Sequence, residues 1–492
     1  MECVTRSASR SNRRMAGADL YSKSRVTGMT NDGRSLADLG SAFERLSDAY
    51  SAKGGLALNE RRETLKAVRG SLIDRREDYA KAIDADFRGR SRHETLITEV
   101  SVVVSAIDHT LANLKRWASP KKIRLGFPFW PASAEVRPQP RGVAGIIAPS
   151  NYPLQLTLMP LVGALSAGCR ALVKPSELTP RTSDLISEHL HDVIDRGAVS
   201  VVQGGADIAA ALTRLPLDII QFTGSTHVGR KVASAAAEHM TPTILELGGK
   251  SPVVVDESAD LGAAAKSIMA GKLINAGQTC VAPDYVFVPR PLKDQFVAQL
   301  QEAAGALYPD PANGDYTAIA SDRALARLID LEAGQLCLPL FDRDLPPPYL
   351  APKLVDVATA NSPIMKQEIF GPLLPVVAYD ELTDVIAAIN ALPDALATYW
   401  FGSPNERLEA LIQGTRSGAV SINETVLHAG IHALPFGGVG QSGTGRYHGK
   451  AGFDSFSLER VIFRQSRWSL TKLMRPPYGR TAERILEGLM KR

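Results

Sequence analysis

Cysteine is scarce in this chain. Only Cys3, Cys169, Cys280 and Cys337 occur in 492 residues, with no C-x-x-C pair and no Cys/His spacing of the kind that holds zinc. A structural zinc is thereby excluded, and no metal site is expected. A chain this long buries enough core to dispense with a disulfide framework. An excess of one charge is also missing. Lys and Arg number 56 against 52 Asp and Glu, a net +4, too balanced to imply a nucleic-acid partner. Uninterrupted apolar runs fall short of the roughly 18 residues that a bilayer-crossing helix needs, so no membrane partner is expected. The C-terminal "TAERILEGLMKR" is short, amphipathic and charged. The opening stretch, "MECVTRSASRSNRRMAGADLYSKSRVTGMT", is rich in Arg and Ser and lacks the apolar centre of a secretory signal. Residues 1–35 are expected to be a disordered tail or an over-long start, with Met15 and Met29 as other beginnings; an organelle transit peptide is the competing reading.

What is present is ordinary globular material, 45% hydrophobic and 22% charged. At roughly 100–200 residues per domain, two or three domains are expected. Helical spacing runs through "SLADLGSAFERLSDAYSA", through the charged "NERRETLKAVRGSLIDRREDYAKAIDADF" with Leu65, Val68, Leu72 and Ile73 on one face, and through "ETLITEVSVVVSAIDHTLANLKRWA". The Pro-rich "SPKKIRLGFPFWPASAEVRPQP" then reads as an extended arm. From Gly142 the pattern changes. Short continuous apolar runs at 143–148, 171–174, 199–203, 218–222 and 243–247 alternate with helical stretches, as in strands buried on both faces. That alternation predicts an α/β fold with a doubly wound parallel sheet. A second alternating series, "PVVV", "LGAAAKSIMAGKLI", "YVFV", "LKDQFVAQLQEAAGAL", begins after Gly249 and places a domain boundary near Leu247–Gly249. Ligand crevices in such sheets lie beyond the carboxyl ends of strands. The loops starting at Pro149, Lys174, Thr223 and Glu246 are there.

Several of these loops could carry chemistry. "GVGQSG", 438–443, fits G-x-G-x-x-G, but a poor strand precedes it and glycines follow it, so a closing loop is the better reading. "VKPSE" ends the second strand with Lys174 and Glu177, which suit ribose hydroxyls. "FTGSTHVG" ends the fourth with Gly224, Ser225 and Gly229 at a helix start, which suits a phosphate. Capping and an exposed charge pair would explain both equally. In "LELGGKSP", Glu246 leaves an apolar strand and is easily desolvated, which raises a carboxyl toward a useful base. Cys280, in "NAGQTCVAPD", is either a packed thiol or a nucleophile facing that base.

Taken with "PSNYP", "EIFGP" and "LPFGGVGQSGTGRYHG", these stretches resemble the NAD(P)-dependent aldehyde dehydrogenase superfamily from about residue 40 to the end. "GQTCVAPDYV" and "GRYHGKAGFDSFS" are similar to its class-3-like branch and to the coniferyl-aldehyde dehydrogenase group. The resemblance implies a variant Rossmann cofactor domain at 36–247 with arm strands at about 120–140, and a catalytic α/β domain at 248–425. Residues 426–492 would return to the cofactor domain and form the oligomerisation arm. It implies that Cys280 attacks the aldehyde, that Asn151 and the Cys280 backbone N–H form the oxyanion hole, and that Glu246 activates the hydrolytic water. Lys174 and Glu177 would hold the adenosine ribose, and Gly224, Ser225 and Gly229 the pyrophosphate. Glu368 and Phe370 would hold the nicotinamide ribose, with Pro149 and Leu247 also lining the cofactor cleft. The cofactor expected is NAD, with NADP possible. The remaining expectations are a hydrophobic or aromatic aldehyde substrate, a long-chain aliphatic one as alternative, a homodimer and a cytoplasmic location. Members that transfer the acyl group to coenzyme A lack the glutamate of "LELGGKSP". A cysteine hydrolase using His428 or His432, and a non-catalytic binding protein, are the competing readings. Ser150, where many relatives carry a large aromatic, and the short, divergent 318–350 are departures from the family.

Overall fold

The computed structural model describes residues 36–126, 129–357 and 362–490; the expectation for residues 1–35 lies outside them. Helix Leu36–Lys53 buries Leu39, Ala42 and Leu46. They share a core with Leu172, Leu212 and Ile220, each such fully buried side chain contributing about 2 kcal/mol. The long charged stretch expected next is not one helix. It breaks at Arg75 into Leu58–Asp74 and Arg76–Phe87. Arg75 leaves helical geometry (φ −91°, ψ 10°), and its guanidinium reaches Glu188 at 3.1 Å and Asp192 at 2.5 Å on helix Pro180–Val193. Ile73, about 100° round the helix from Leu72, stays outside the core that holds Leu65, Val68 and Leu72.

Helix Arg92–Trp117 has the length and apolar composition to cross a membrane, a property that a count of uninterrupted runs had missed. Here its inner face packs Val103, Ile107, Leu114 and Trp117 into the core. The arm follows as β1 (Lys121–Ile123) and β2 (Ser133–Pro140), an antiparallel pair.

The five predicted strands are β3 (Val143–Ile147), β4 (Arg170–Lys174), β5 (Val199–Val201), β6 (Ile219–Gly224) and β7 (Thr243–Leu247). They pair in parallel in the order β7-β6-β3-β4-β5. The order reverses between β3 and β6, so the loops after these two strands open a crevice at the switch point. The second series forms β8 (Pro252–Val255), β9 (Tyr285–Pro289), β10 (Leu336–Pro339), β11 (Lys353–Asp356), β12 (Leu373–Tyr379), β13 (Ala395–Phe401) and β14 (Ser417–Ile422). They make one seven-stranded sheet, β10-β11-β12-β9-β8-β13-β14, parallel except at β10. The chain then returns to the first sheet. β15 (Gly443–Thr444) lies antiparallel on β7, with Gly443 opposite Glu246. "GVGQSG" is therefore a closing loop: Gly440–Ser442 form a single 3₁₀ turn. β16 (Ser457–Arg464) completes the arm by pairing along the whole of β2 within the same chain.

Candidate active site

The cofactor side is built at the ends of β4 and β6. Lys174 is buried at 1% exposure, and its Nζ donates to Glu177 at 2.6 Å and to the Pro175 carbonyl at 3.1 Å. It is thus no exposed charge pair, although the Glu177 side chain itself is 42% exposed. Ser225 caps helix Thr226–Ala237, its Oγ accepting from the Val228 N–H at 3.4 Å. A Cβ on Gly229 would meet Leu247 at 2.5 Å, and one on Gly224 would meet Phe222 at 2.6 Å. Glycine at 229 lets this helix start sit close to the β7 end, and glycine at 224 leaves room for the Phe222 ring. Leu178 and Val228 stand exposed on the two loops. A glycine-lined helix N-terminus, a buried lysine and a carboxylate fit a dinucleotide.

The chemical side is built at the end of β7. Glu246 pairs with Thr223 across β6 and with Gly443 across β15, so two strands fix its backbone. Its side chain is buried. Oε1 lacks a hydrogen-bond partner of good geometry, although the Cys280 thiol and the Thr223 hydroxyl are near enough to favour the ionised form. Burial outweighs both and pushes the carboxyl up to about 7. Cys280 is half-buried. Burial first, then the Glu246 and Glu368 carboxyls, raise its thiol well above the ordinary range. Glu368 is pushed up to about 8 by burial and by Asp284. Its carboxyl lies against the backbone of Gly248, where a Cβ would meet it at 2.0 Å. The turn that carries it is held by the Ile369 N–H, which donates to Asp284 at 3.1 Å; Asp284 in turn pairs with buried Lys250 at 2.5 Å. Phe370 follows with φ +49°.

The loop before Cys280 is held from several directions. Asn275 and Ala276 both take left-handed φ of +51°. Gln278 donates to the carbonyls of Asn275 and Ala318, each at 3.0 Å, and accepts from the Ala320 N–H at 2.9 Å. Asn151, buried, donates through Nδ2 to the Gln278 carbonyl at 3.0 Å. Tyr152 and Thr279 share a hydroxyl bond of 2.6 Å. The loop after β3 and the loop carrying Cys280 are therefore one bonded unit.

The structure brings Cys280, Glu246, Asn151 and Glu368 to one place. Lys174, Glu177, Gly224, Ser225, Gly229 and Leu247 gather along the sheet edge, with Pro149 and Phe370 half-buried on flanking loops. No histidine is among the groups that shift the Cys280 thiol. His428 instead packs against Tyr399 and Phe436, at ring distances of 6.0 and 6.4 Å. That removes the basis for a Cys–His hydrolase. Residue reading missed Arg90, Glu94, Glu99, Asn275 and Gln278. The available signal was slight: Glu94 and Glu99 flank the apolar Leu96–Ile97 pair of a helix whose inner face is buried.

A thiol beside a desolvated carboxyl, facing a dinucleotide-shaped sheet edge, defines a cofactor-dependent oxidoreductase with a covalent step. The chain belongs to the aldehyde dehydrogenase family, whose model ("Aldehyde dehydrogenase family") matches residues 19–462. It is an NAD(P)-dependent aldehyde dehydrogenase, which oxidises an aldehyde to the acid. It is 41% identical over 467 residues to a "Probable coniferyl aldehyde dehydrogenase" of Pseudomonas aeruginosa, across 93% of this chain and 97% of the relative. It is 38% identical to "Aldehyde dehydrogenase family 3 member A2" of Rattus norvegicus, across 88% and 90%. The substrate-bound state of Staphylococcus aureus AldH superposes with a TM-score of 0.88 at 34% identity, across 92% of this chain and 99% of that one. These relatives agree with the class-3-like, coniferyl-type resemblance carried by the motifs.

Proposed function

We propose that the enzyme oxidises hydrophobic aldehydes with an aromatic end, of the coniferyl-aldehyde type, with NAD preferred over NADP. In this reading Cys280 first gives up its proton to solvent, and the resulting thiolate attacks the carbonyl carbon to form a thiohemiacetal. The Asn151 amide and the Cys280 N–H stabilise the oxyanion. When bound, the nicotinamide supplies the hydride acceptor and a cationic ring in the crevice. Glu246 then takes a proton from the water that hydrolyses the thioester, and a carboxyl poised near 7 is well matched to that task. Lys174 and Glu177 hold the adenosine ribose, with the pyrophosphate at Gly224, Ser225 and Gly229. Glu368 and Phe370 position the nicotinamide ribose.

One observation carries the assignment: Glu246 is the carboxyl whose charge and hydrogen bond both act on the Cys280 thiol, and its Oε1 is buried without a partner. The aromatic preference is supported by Tyr447, which lies within electrostatic reach of both Cys280 and Glu246, and by its edge-on contact with Phe436 at 5.6 Å. It is supported further by the names of the relatives. Preference for NAD rests on the negative Glu177 at the ribose position, which disfavours a 2′-phosphate. Kinetics on acetaldehyde, a long alkanal and a cinnamaldehyde, each with NAD and NADP, test both parts. Highest kcat/KM for the cinnamaldehyde with NAD is expected; best efficiency on acetaldehyde, or with NADP, contradicts the corresponding part. A homodimer is proposed from the arm, where Leu458, Val461 and Phe463 of edge strand β16 stand exposed.

A further inference from the structure

Arg90, Glu94 and Glu99 form a buried ionic cluster that the mechanism above does not use. Their side chains are 0%, 12% and 0% exposed. Arg90 Nε lies 3.9 Å from Glu94 and Nη2 3.6 Å from Glu99, while its guanidinium stacks on the rings of Phe87 and Tyr152 at 4.9 and 5.0 Å. Five residues separate the two glutamates, and on a regular helix that spacing turns them about 140° apart. Here the helix runs through a π-turn at Leu96–Val100, closed by the Ser101 N–H on the Leu96 carbonyl. The wider turn brings Glu94 and Glu99 onto one face, and π-turns of this kind often mark functional sites.

Each member of the cluster bonds to a catalytic loop. Arg90 Nη1 donates to the Asn151 carbonyl at 3.0 Å, and the Asn275 amide donates to the same oxygen at 2.9 Å. Glu94 accepts from the Asn275 backbone N–H at 3.1 Å and from Thr317 at 2.6 Å. Glu99 accepts from the N–H groups of Leu154 and Gln155 at 2.8 and 3.2 Å, just beyond "PSNYP". The loop of the oxyanion amide and the loop of the nucleophile are thus fastened to a single buried cation. Burial of such a cluster is costly and is no economical way to stabilise a fold. Besides bonds to Thr317, Tyr308 and Thr98, the cluster holds the Asn151 carbonyl, the Asn275 N–H and the Leu154 and Gln155 N–H groups, all on the two loops that carry the reaction.

We propose that Arg90, with Glu94 and Glu99, is a positioning residue. It fixes the Asn151 amide relative to Cys280, so that the oxyanion donor is preset before the thiohemiacetal forms. This rests on the assignment of Asn151 to the oxyanion hole. The test is the rate of the pre-steady-state burst of reduced nicotinamide in four proteins: wild type, Arg90→Lys, Asn151→Ala and the double variant. Arg90→Lys keeps the charge but not the guanidinium geometry. It should slow the burst about 10- to 100-fold with KM little changed, part of what one oxyanion donor is worth. In the Asn151→Ala background the same change should cost less than about 2-fold, because residues that act as one unit are not additive. Equal slowing in both backgrounds would mean a general structural role and overturn the proposal, as would no slowing in either. If Asn151→Ala alone leaves the burst intact, the oxyanion assignment itself fails, and the positioning role with it. Asn275→Gly provides a second arm should Arg90→Lys fold poorly. It keeps the left-handed backbone, removes the amide that donates to the Asn151 and Gln278 carbonyls, and should show the same dependence on Asn151.

Discussion

At the ends of β4 and β6 the polar groups find each other, whereas at the end of β7 they do not. Lys174 bonds Glu177, and the Ser225 hydroxyl caps a helix. Glu246 is as deeply buried as Lys174, yet its Oε1 lacks a good partner, and the groups acting on it are the Cys280 thiol and the Thr223 hydroxyl, with a second carboxyl, Glu368, acting on the same thiol. Burial drives the Glu246 and Glu368 carboxyls up to about 7 and 8. The contrast separates two uses of buried polarity. A binding edge can satisfy its groups in advance and let the ligand share them. A group that must take a proton is left under-solvated, and the fold bears that cost.

The sharpest way to break the comparison is to remove the group at its centre. Cys280→Ser should reduce turnover to background, because a serine hydroxyl is rarely ionised near neutrality and the thiolate is the competent nucleophile. Cofactor binding, followed by quenching of intrinsic fluorescence, should persist, since the binding edge is intact. A smaller effect is expected at that edge. Glu177→Gln removes one partly exposed charge, worth about 1 kcal/mol, and should raise kcat/KM with NADP relative to NAD about 5-fold. An unchanged ratio would mean that Glu177 does not face the ribose. A third effect is on stability and is read as a shift of a few degrees in melting temperature. Glu246 has a folded value of about 7 against an ordinary 4.5, so the neutral form is the one the fold favours. That stability is fully present below 4.5 and is lost as pH rises through about 7, with about 3 kcal/mol at stake. Glu246→Gln has no charge to bury. Its melting temperature should exceed that of the wild type by a few degrees at pH 8 and match it below pH 5. Equal melting temperatures at pH 8 would mean that the carboxyl is not desolvated.

Both halves of the comparison were legible in the sequence to different depths. Parallel strands buried on both faces read as continuous apolar runs, so β3 to β7 stand within a few residues of where the runs placed them. Cys280 and Glu246 could be named because short motifs mark them. The Arg90 cluster could not. Glu94 and Glu99 are spaced for different faces of an α-helix, and nothing local in "ETLITEV" announces the π-turn. The break at Arg75 is equally silent, with no Pro or Gly there, and depends on Glu188 and Asp192, more than a hundred residues on. The β2–β16 pairing joins segments over three hundred residues apart; the sequence marked the first as an extended arm without showing which segment it pairs with.

The division between a satisfied binding edge and an under-solvated base is tested most directly by Glu246→Gln in a stopped-flow experiment with aldehyde and NAD. The amide keeps the shape of the carboxyl but cannot accept a proton. The account predicts a burst of reduced nicotinamide near one per active site and a steady rate lowered by about 10²–10⁴-fold, with an acyl adduct on Cys280 by intact-protein mass. Loss of the burst together with turnover would contradict it. Glu246 would then be required before hydride leaves, as the base that ionises Cys280 rather than the base that releases the acid.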